Sequence, residues 1–370
     1  NKKRSNKEMK KPVPNSHLND LESYKGGKSK VDGIEIFFKL SSNENPFGPS
    51  KLVSNAYIDA LNEITVYPDP SNNDLIQKLS DFYSLVPDKI ICGCGSDEIL
   101  HLLARAYLGG NDEAIVSENC FAVYPLAIKA SGARVVRAKE INFKTQIQSI
   151  LDLTNNATKM VFIANPNNPT GTMISYNDII ELQSKLPSNV LLVIDEAYAE
   201  YVKDENYKNY FELVNNNSNV IITRTFSKVY GLAGLRVGWA YCPKEVIEVL
   251  NRLRIPFSVN SSAQKVAIAA LNDQKHVSDS VKHNAIWLSI MEEKFKGLGF
   301  NVTASDCNFL LIEAGSNLNF SAEEIYEFLC SKGLIVRQMK EYNLSDYLRI
   351  TIGTEEANKL VISSLEELLK

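Results

Sequence analysis

This chain has few of the residues that staple small extracellular folds or hold metals. Six cysteines and four histidines are spread over 370 residues. Cys92 and Cys94 are too close for a C-x-x-C pair, and Cys120, Cys242, Cys307 and Cys330 stand apart. That excludes a disulfide framework and leaves no zinc-ligand spacing, so no metal site is expected. Reduced thiols in a cytoplasmic enzyme fit this usage best. No apolar run approaches the ~20 residues that a membrane span needs. An excess of one charge is also missing, since 40 Lys and Arg stand against 44 Asp and Glu. A net charge of −4 argues against broad electrostatic binding to nucleic acid or acidic membranes. The start, NKKRSNKEMKK, is basic, but Pro12 and Pro14 follow it in place of an apolar segment. It is expected to be a solvated tail and not a secretory signal.

What is present is a globular composition, 44% hydrophobic and 23% charged. This excludes a disordered or collagen-like chain, and the length suits two or three domains. Short apolar runs alternate with helical patterns up to about residue 250. KIIC (89–92), EAIVS (113–117), RVVRA (134–138), KMVFIAN (159–165), VLLVID (190–195), VIITR (220–224) and LRVGWAY (235–241) read as buried strands. DEILHLLARAYL (97–108) and YNDIIELQSKL (176–186) read as amphipathic helices between them. Such alternation predicts an α/β fold with a mostly parallel sheet covered on both faces. Beyond residue 250 one long helical pattern is expected over 261–298. A strand at 308–314, a helix at 321–333, the strands LIVRQ and YLRITIG, and a last helix at 354–369 follow. The expected division is a large domain over 40–250 and a smaller α+β domain over 251–370. Residues 1–39 form an arm that packs on the smaller one.

Four stretches carry chemistry. Thr225-Phe-Ser227-Lys228-Val-Tyr-Gly-Leu-Ala-Gly-Leu-Arg236 follows a strand, where parallel sheets place ligands. Thr225, Ser227 and Arg236 are suited to a phosphate. Lys228 reads either as a phosphate-binding cation or as a Schiff-base amine, and a solvated loop lysine is the bland alternative. Asp195-Glu-Ala-Tyr198 ends an apolar strand in a carboxylate, which is costly to bury without a cation or hydrogen bonds. Pyridoxal phosphate supplies such a partner in its protonated ring nitrogen. An N-cap or a structural ion pair would also account for it. Asn165-Pro-Asn-Asn168-Pro-Thr-Gly171 is a turn by composition, or a rigid mount for the Asn168 amide. Gly93-Cys-Gly95-Ser96-Asp97 opens a helix whose free N–H groups suit an anion, or is a plain helix cap.

LSSNENPFGPS (40–50), TVYPDP (65–70), GCGSDEIL (93–100), FAVYP (121–125), NPNNPTG (165–171), DEAYAEY (195–201), TFSKVYGLAGLRVGW (225–239) and YLRITIG (347–353) occur in this order. Together they resemble the fold-type-I pyridoxal-phosphate aminotransferases, and among these the histidinol-phosphate branch. The likeness covers nearly the whole chain from Leu40, with a weaker trace at Tyr24-Lys-Gly-Gly-Lys. It implies a large domain with a mostly parallel sheet between helices, plus a smaller α+β domain. It also implies that Lys228 carries the pyridoxal 5'-phosphate cofactor and moves the substrate proton. Asp195 pairs with the ring nitrogen, while Tyr198 and Asn168 share the ring oxygen. Ser96, Asp97, Ser227 and Arg236 hold the phosphate, with Thr225 just behind, and Tyr124 stacks on the ring. Tyr67 reaches the phosphate of the neighbouring subunit, so a homodimer with shared sites is expected. Arg349 takes the substrate's acid group, and Arg337 selects a phosphate-bearing substrate with Tyr24. Asn43 lines the same cleft.

The expected reaction is amino transfer between L-histidinol phosphate and 2-oxoglutarate, which becomes glutamate, a step of histidine biosynthesis. An aromatic amino-acid aminotransferase and a phosphothreonine decarboxylase of similar fold are the alternatives. A transcription regulator with an aminotransferase-like domain needs a DNA-binding domain, for which the stretch before Leu40 has no room. A non-catalytic binding protein would be expected to lose Lys228 or Asp195, and both are present.

Overall fold

Strands that are apolar along their whole length have to be covered on both faces, and seven of the apolar runs meet that demand by joining one sheet. In the computed structural model, which describes residues 11–19, 21–24, 26–28, 30, 37–204, 207–315 and 318–370, the order is Ile90–Gly93, Gly238–Tyr241, Val220–Thr225, Leu191–Asp195, Thr158–Ala164, Glu113–Ser117 and Arg134–Ala138. Only Gly238–Tyr241 runs antiparallel to its neighbours. The two faces carry separate cores. One holds Leu192, Ile194, Phe211 and Trp239, the other Ile99, Leu103, Phe162 and Val193.

Two expectations need correction. Arg134–Ala138 is a strand but not a buried one. It is one edge of the sheet, with unpaired backbone groups on one side and with Arg134 and Arg137 exposed. The helical pattern over 261–298 is two helices, Ser261–Asn272 and Gln274–Gly297. Asp273 separates them and caps the second by accepting the His276 N–H at 3.2 Å.

A four-stranded antiparallel sheet, Asn301–Thr303, Phe309–Glu313, Tyr347–Thr351 and Arg337–Gln338, forms the second layer system. Helices Ala322–Ser331 and Glu355–Leu368 help build its core of Leu310, Ile325, Leu348 and Ile350. The N-terminal segment touches both units. Phe38–Lys39 pairs in parallel with Leu334–Ile335, and Lys28 lies over the Tyr326 ring. Ser16–Leu18 instead lies against the helix Val123–Ala130 of the large sheet, with the His17 ring beside Gly132. That part of the arm departs from the expected packing. The basic start, residues 1–10, and Lys25 lie outside the described residues. No helix among the described residues is long and apolar enough to cross a membrane.

Candidate active site

Parallel strands bring their carboxyl ends to one edge, and each chemistry-bearing stretch starts there. Asp195 closes one strand, Asn165–Gly171 follows its neighbour, and Thr225–Arg236 follows the strand on the other side. A cavity of about 260 Å³ opens at this edge. Its walls include Lys228, Asp195, Tyr198, Asn168, Phe121 and Arg236.

One end of the cavity is built from hydrogen-bond donors. The helix Gly95–Tyr107 points its N-terminus there, with Ser96 in its first turn. Ser227, Thr225, Asp97 and Arg236 complete this end. Thr225 Oγ1 accepts the Ser227 N–H at 3.1 Å, which shapes the turn. Arg236 has φ 55°, a left-handed backbone that costs a non-glycine residue energy. Its guanidinium donates to Ser227 Oγ at 3.2 Å and pairs with Asp97 at 3.3 Å. Gly95 and Gly238 make room for this packing: a Cβ on Gly95 would strike the Arg236 guanidinium, and one on Gly238 would strike the Ser96 nitrogen.

Asp195 also lines the cavity and is 4% exposed. Tyr124 donates its hydroxyl to Asp195 Oδ2 at 2.8 Å, while Oδ1 is buried without a hydrogen-bond partner. Burial pushes the carboxyl up to about 6, partly offset by the Tyr124 bond and by the nearby Thr223 hydroxyl. Lys228 lines the same cavity. Its Nζ donates to the Ser42 carbonyl at 3.4 Å and sits 5.6 Å from the Tyr198 ring centre. Burial, and then the charge of Arg349, push it down to about 8. The solvated-lysine alternative does not describe this residue.

Two aromatic rings line the cavity, the expected Tyr124 and also Phe121. Tyr124 is fully buried, its ring stacked on Phe162 at 5.3 Å, and its hydroxyl is committed to Asp195. Phe121, three residues earlier, is half-buried and the more open of the two rings. Periodicity could have paired the two as helical neighbours, but it carried no sign of which ring the sheet would cover.

Asn43 does not line the cavity. Its Nδ2 donates to the Tyr198 hydroxyl at 2.8 Å and its Oδ1 accepts from Thr351 Oγ1 at 3.1 Å. Asn168 does line it, with its Oδ1 accepting from Arg349 Nη1 at 2.5 Å, which turns its amide hydrogens elsewhere. Arg349 is buried, not on a solvent face. Nη2 donates to the Ser41 carbonyl at 2.9 Å, and its Nε is buried without a hydrogen-bond partner. Ser42 and Glu44, absent from the expectations, also line the wall.

A second cavity of about 510 Å³ lies between Tyr24, the loop Glu118–Ala122 and Glu341–Leu344. Arg337 is buried beside it and donates to Glu341, a lining residue, at 2.6 Å. Tyr67 is far less enclosed than the rest. It is 80% exposed and stacks on Phe257 at 4.7 Å, away from both cavities of its own chain. No cluster of three or more His, Cys, Asp or Glu among the described residues is placed to hold a metal.

Residues 35–365 match the family described as aminotransferase class I and II. The chain belongs to that family. It is 44% identical, over 98% of its length and 99% of the relative's, to the histidinol-phosphate aminotransferase of Rhodopseudomonas palustris strain BisB18. The structure of histidinol-phosphate aminotransferase from Sinorhizobium meliloti in complex with pyridoxal-5'-phosphate superimposes with a TM-score of 0.84. That match covers 90% of each chain at 26% identity. L-threonine-O-3-phosphate decarboxylase from Porphyromonas gingivalis shares the fold alone, with a TM-score of 0.76 and 20% identity over 90% of this chain and 99% of that one.

The geometry fits the cofactor of such an enzyme. Asp195 Oδ1 is a buried acceptor without a hydrogen-bond partner, and the same cavity offers Ser96, Ser227 and Arg236 to an anion. A primary amine with a depressed pKa lines the same cavity.

Proposed function

We propose that this aminotransferase moves an amino group between L-histidinol phosphate and 2-oxoglutarate, a step of histidine biosynthesis, with pyridoxal phosphate as its cofactor. The observation that carries the cofactor reading is the unpartnered Asp195 Oδ1 in a cavity that also presents Ser96, Ser227 and Arg236 as donors. Bound there, pyridoxal phosphate supplies an electron sink for the substrate's Cα. Asp195 would hold the proton of the ring nitrogen, Tyr198 and Asn168 the ring oxygen, and Ser96, Thr225, Ser227 and Arg236 the phosphate. Lys228, at about 8, is a usable base near neutral pH and takes and returns the proton at the substrate's Cα. Arg349 is the cation for a substrate carboxylate, and its unsatisfied Nε marks unused capacity. Arg337 and Tyr24 beside the larger cavity suit a phosphate-bearing donor.

The substrate assignment rests on the near full-length likeness to a histidinol-phosphate aminotransferase at 44% identity. A half-reaction screen tests it. Histidinol phosphate, Tyr, Phe and Glu are added separately and the cofactor's absorbance is followed. Histidinol phosphate and Glu should convert it fastest. Faster conversion by Tyr or Phe would favour an aromatic aminotransferase, and release of CO2 from phosphothreonine would favour a decarboxylase.

The active unit in this reading is a homodimer with shared sites, working in the cytoplasm, where its six unpaired thiols stay reduced. Tyr67 supports the dimer. It lies in an exposed apolar patch with Ile64, Val66, Ile255 and Phe257, the kind of surface a second copy covers. Mixing Lys228→Ala with Tyr67→Ala protein makes half of the dimers mixed, each with one intact site. Roughly a quarter of wild-type activity should return at limiting cofactor. Activity that stays at the mean of the two variants would rule out the shared site.

A further inference from the structure

The orientation of the Asn43 side chain is dictated by its neighbours. Its backbone N–H donates to Thr351 Oγ1 at 3.0 Å, so that oxygen is an acceptor there. The threonine's own hydrogen then goes to Asn43 Oδ1 at 3.1 Å. Turning the amide over would aim two donors at one hydroxyl oxygen and strip a buried hydroxyl hydrogen of this acceptor. The amide oxygen is therefore tied to Thr351, and the NH2 faces Tyr198, donating to its hydroxyl at 2.8 Å. Asn43 has φ 58°, which asparagine tolerates, and its carbonyl accepts from Asn308 Nδ2 at 3.0 Å. Side chain and backbone are both held.

An amide NH2 has no lone pair to offer a hydroxyl hydrogen. The Tyr198 hydrogen cannot point at Asn43 and is directed elsewhere, while Tyr198 itself lines the cavity beside Lys228 and Asn168. Burial raises the phenol's pKa, which keeps that hydrogen in place. The charged groups around it are Lys228, Arg349 and Asp195. We propose that Asn43 is a positioning residue that, by donating to Tyr198, aims the phenol's hydrogen into the cavity at an acceptor of the bound group. This rests on the reading that pyridoxal phosphate occupies the cavity, with its ring oxygen as that acceptor. It also gives Asn43 a part different from direct contact with substrate.

The test uses the holoenzyme and the visible absorbance of its cofactor titrated against pH. A hydrogen bond to the ring oxygen stabilises its anionic form, so losing it should raise the midpoint by about one pH unit. Tyr198→Phe loses it outright. Asn43→Asp offers the phenol a carboxylate, reverses the donation, and should shift the midpoint similarly. The new charge could also act on the cofactor directly, and the double variant separates the two. If Asn43→Asp works through Tyr198, it adds nothing in the Tyr198→Phe background. Asn43→Gly leaves the hydroxyl free to rotate and donate, so it should shift the midpoint much less than Asn43→Asp. Equal shifts from Gly and Asp would reduce Asn43 to packing and overturn the proposal. So would an Asp shift that persists undiminished without Tyr198, or an unmoved midpoint in Asn43→Asp while Tyr198→Phe moves. Should Asn43→Asp fail to fold, Thr351→Val unties the amide, and an upward shift is expected. An unmoved midpoint there overturns the proposal too. Wild-type protein that takes up no pyridoxal phosphate would defeat the functional reading as well, which the variants alone cannot do.

Discussion

On one face of the large sheet, Glu196 is fully buried and accepts from Arg224 Nη2 at 3.0 Å and Nε at 3.1 Å. The guanidinium lies over the rings of Tyr83 and Phe211 and also meets Glu200 at 3.4 Å. On the other face, the preceding residue, Asp195, has a hydrogen bond from Tyr124 and no ion pair among the described residues. Two carboxylates adjacent in the chain thus sit in opposite circumstances. A buried charge with its counter-charge built in is part of the scaffold. A buried charge without one holds its place only by keeping a proton or by meeting a cation from outside. The difference separates the element that supports the site from the element that serves it.

The largest effect should come from the amine the cavity is built around. Lys228→Ala should abolish turnover, and borohydride should fix the cofactor of the wild-type enzyme to the peptide carrying Lys228. Labelling of another lysine would break the assignment. The comparison itself predicts opposite signs for its two carboxylates. Glu196→Gln leaves Arg224 buried without its main partner and should cost about 3–5 kcal/mol in urea unfolding. Asp195→Asn should raise the stability of cofactor-free protein near neutral pH while lowering kcat/KM by about 100-fold or more. Destabilisation by both would erase the distinction.

A smaller effect follows from pH. Folded Asp195 keeps its proton up to about pH 6, whereas an ordinary aspartate releases it near 3.8. Between those values the folded state binds more protons, so stability from this group falls as pH rises. The span corresponds to about 3 kcal/mol at about 1.4 kcal/mol per pKa unit. Urea midpoints of cofactor-free wild type and Asp195→Asn, compared from pH 4 to 7, should diverge in favour of the variant as pH rises. Parallel curves would mean that Asp195 is not the isolated charge the geometry makes it.

The smallest expected effect extends the comparison to Arg337, which pairs with the half-exposed Glu341. Such a partner can yield to a substrate phosphate, as Glu196 cannot. Arg337→Ala should cost histidinol phosphate about 10- to 100-fold in kcat/KM, from a charge-assisted bond of about 1.5–3 kcal/mol, and an unphosphorylated aromatic donor much less. Equal losses for both donors would remove Arg337 from phosphate selection.

By itself, the sequence determined the kinds of element, their order, and the strand ends on which Lys228, Asp195 and Asn168 stand. Apolar runs, turn residues and helix caps are local signals, and local signals report local structure. Only the tertiary structure decided which partner each polar atom found. Tyr124 meets Asp195 across 71 positions, and Asn43 meets Tyr198 across 155. Nothing in the spacing of FAVYP says which of its two cavity-lining rings stays half open and which is tied to Asp195. The periodicity of YLRITIG put Arg349 and Thr351 on one face, but burial of that face comes from packing against the Asn43 segment and Asn168. The edge position of RVVRA and the break at Asp273 were hidden for the same reason. A pattern of apolar residues says which side of an element turns inward, while the neighbour it meets there is set by the packing of the whole chain.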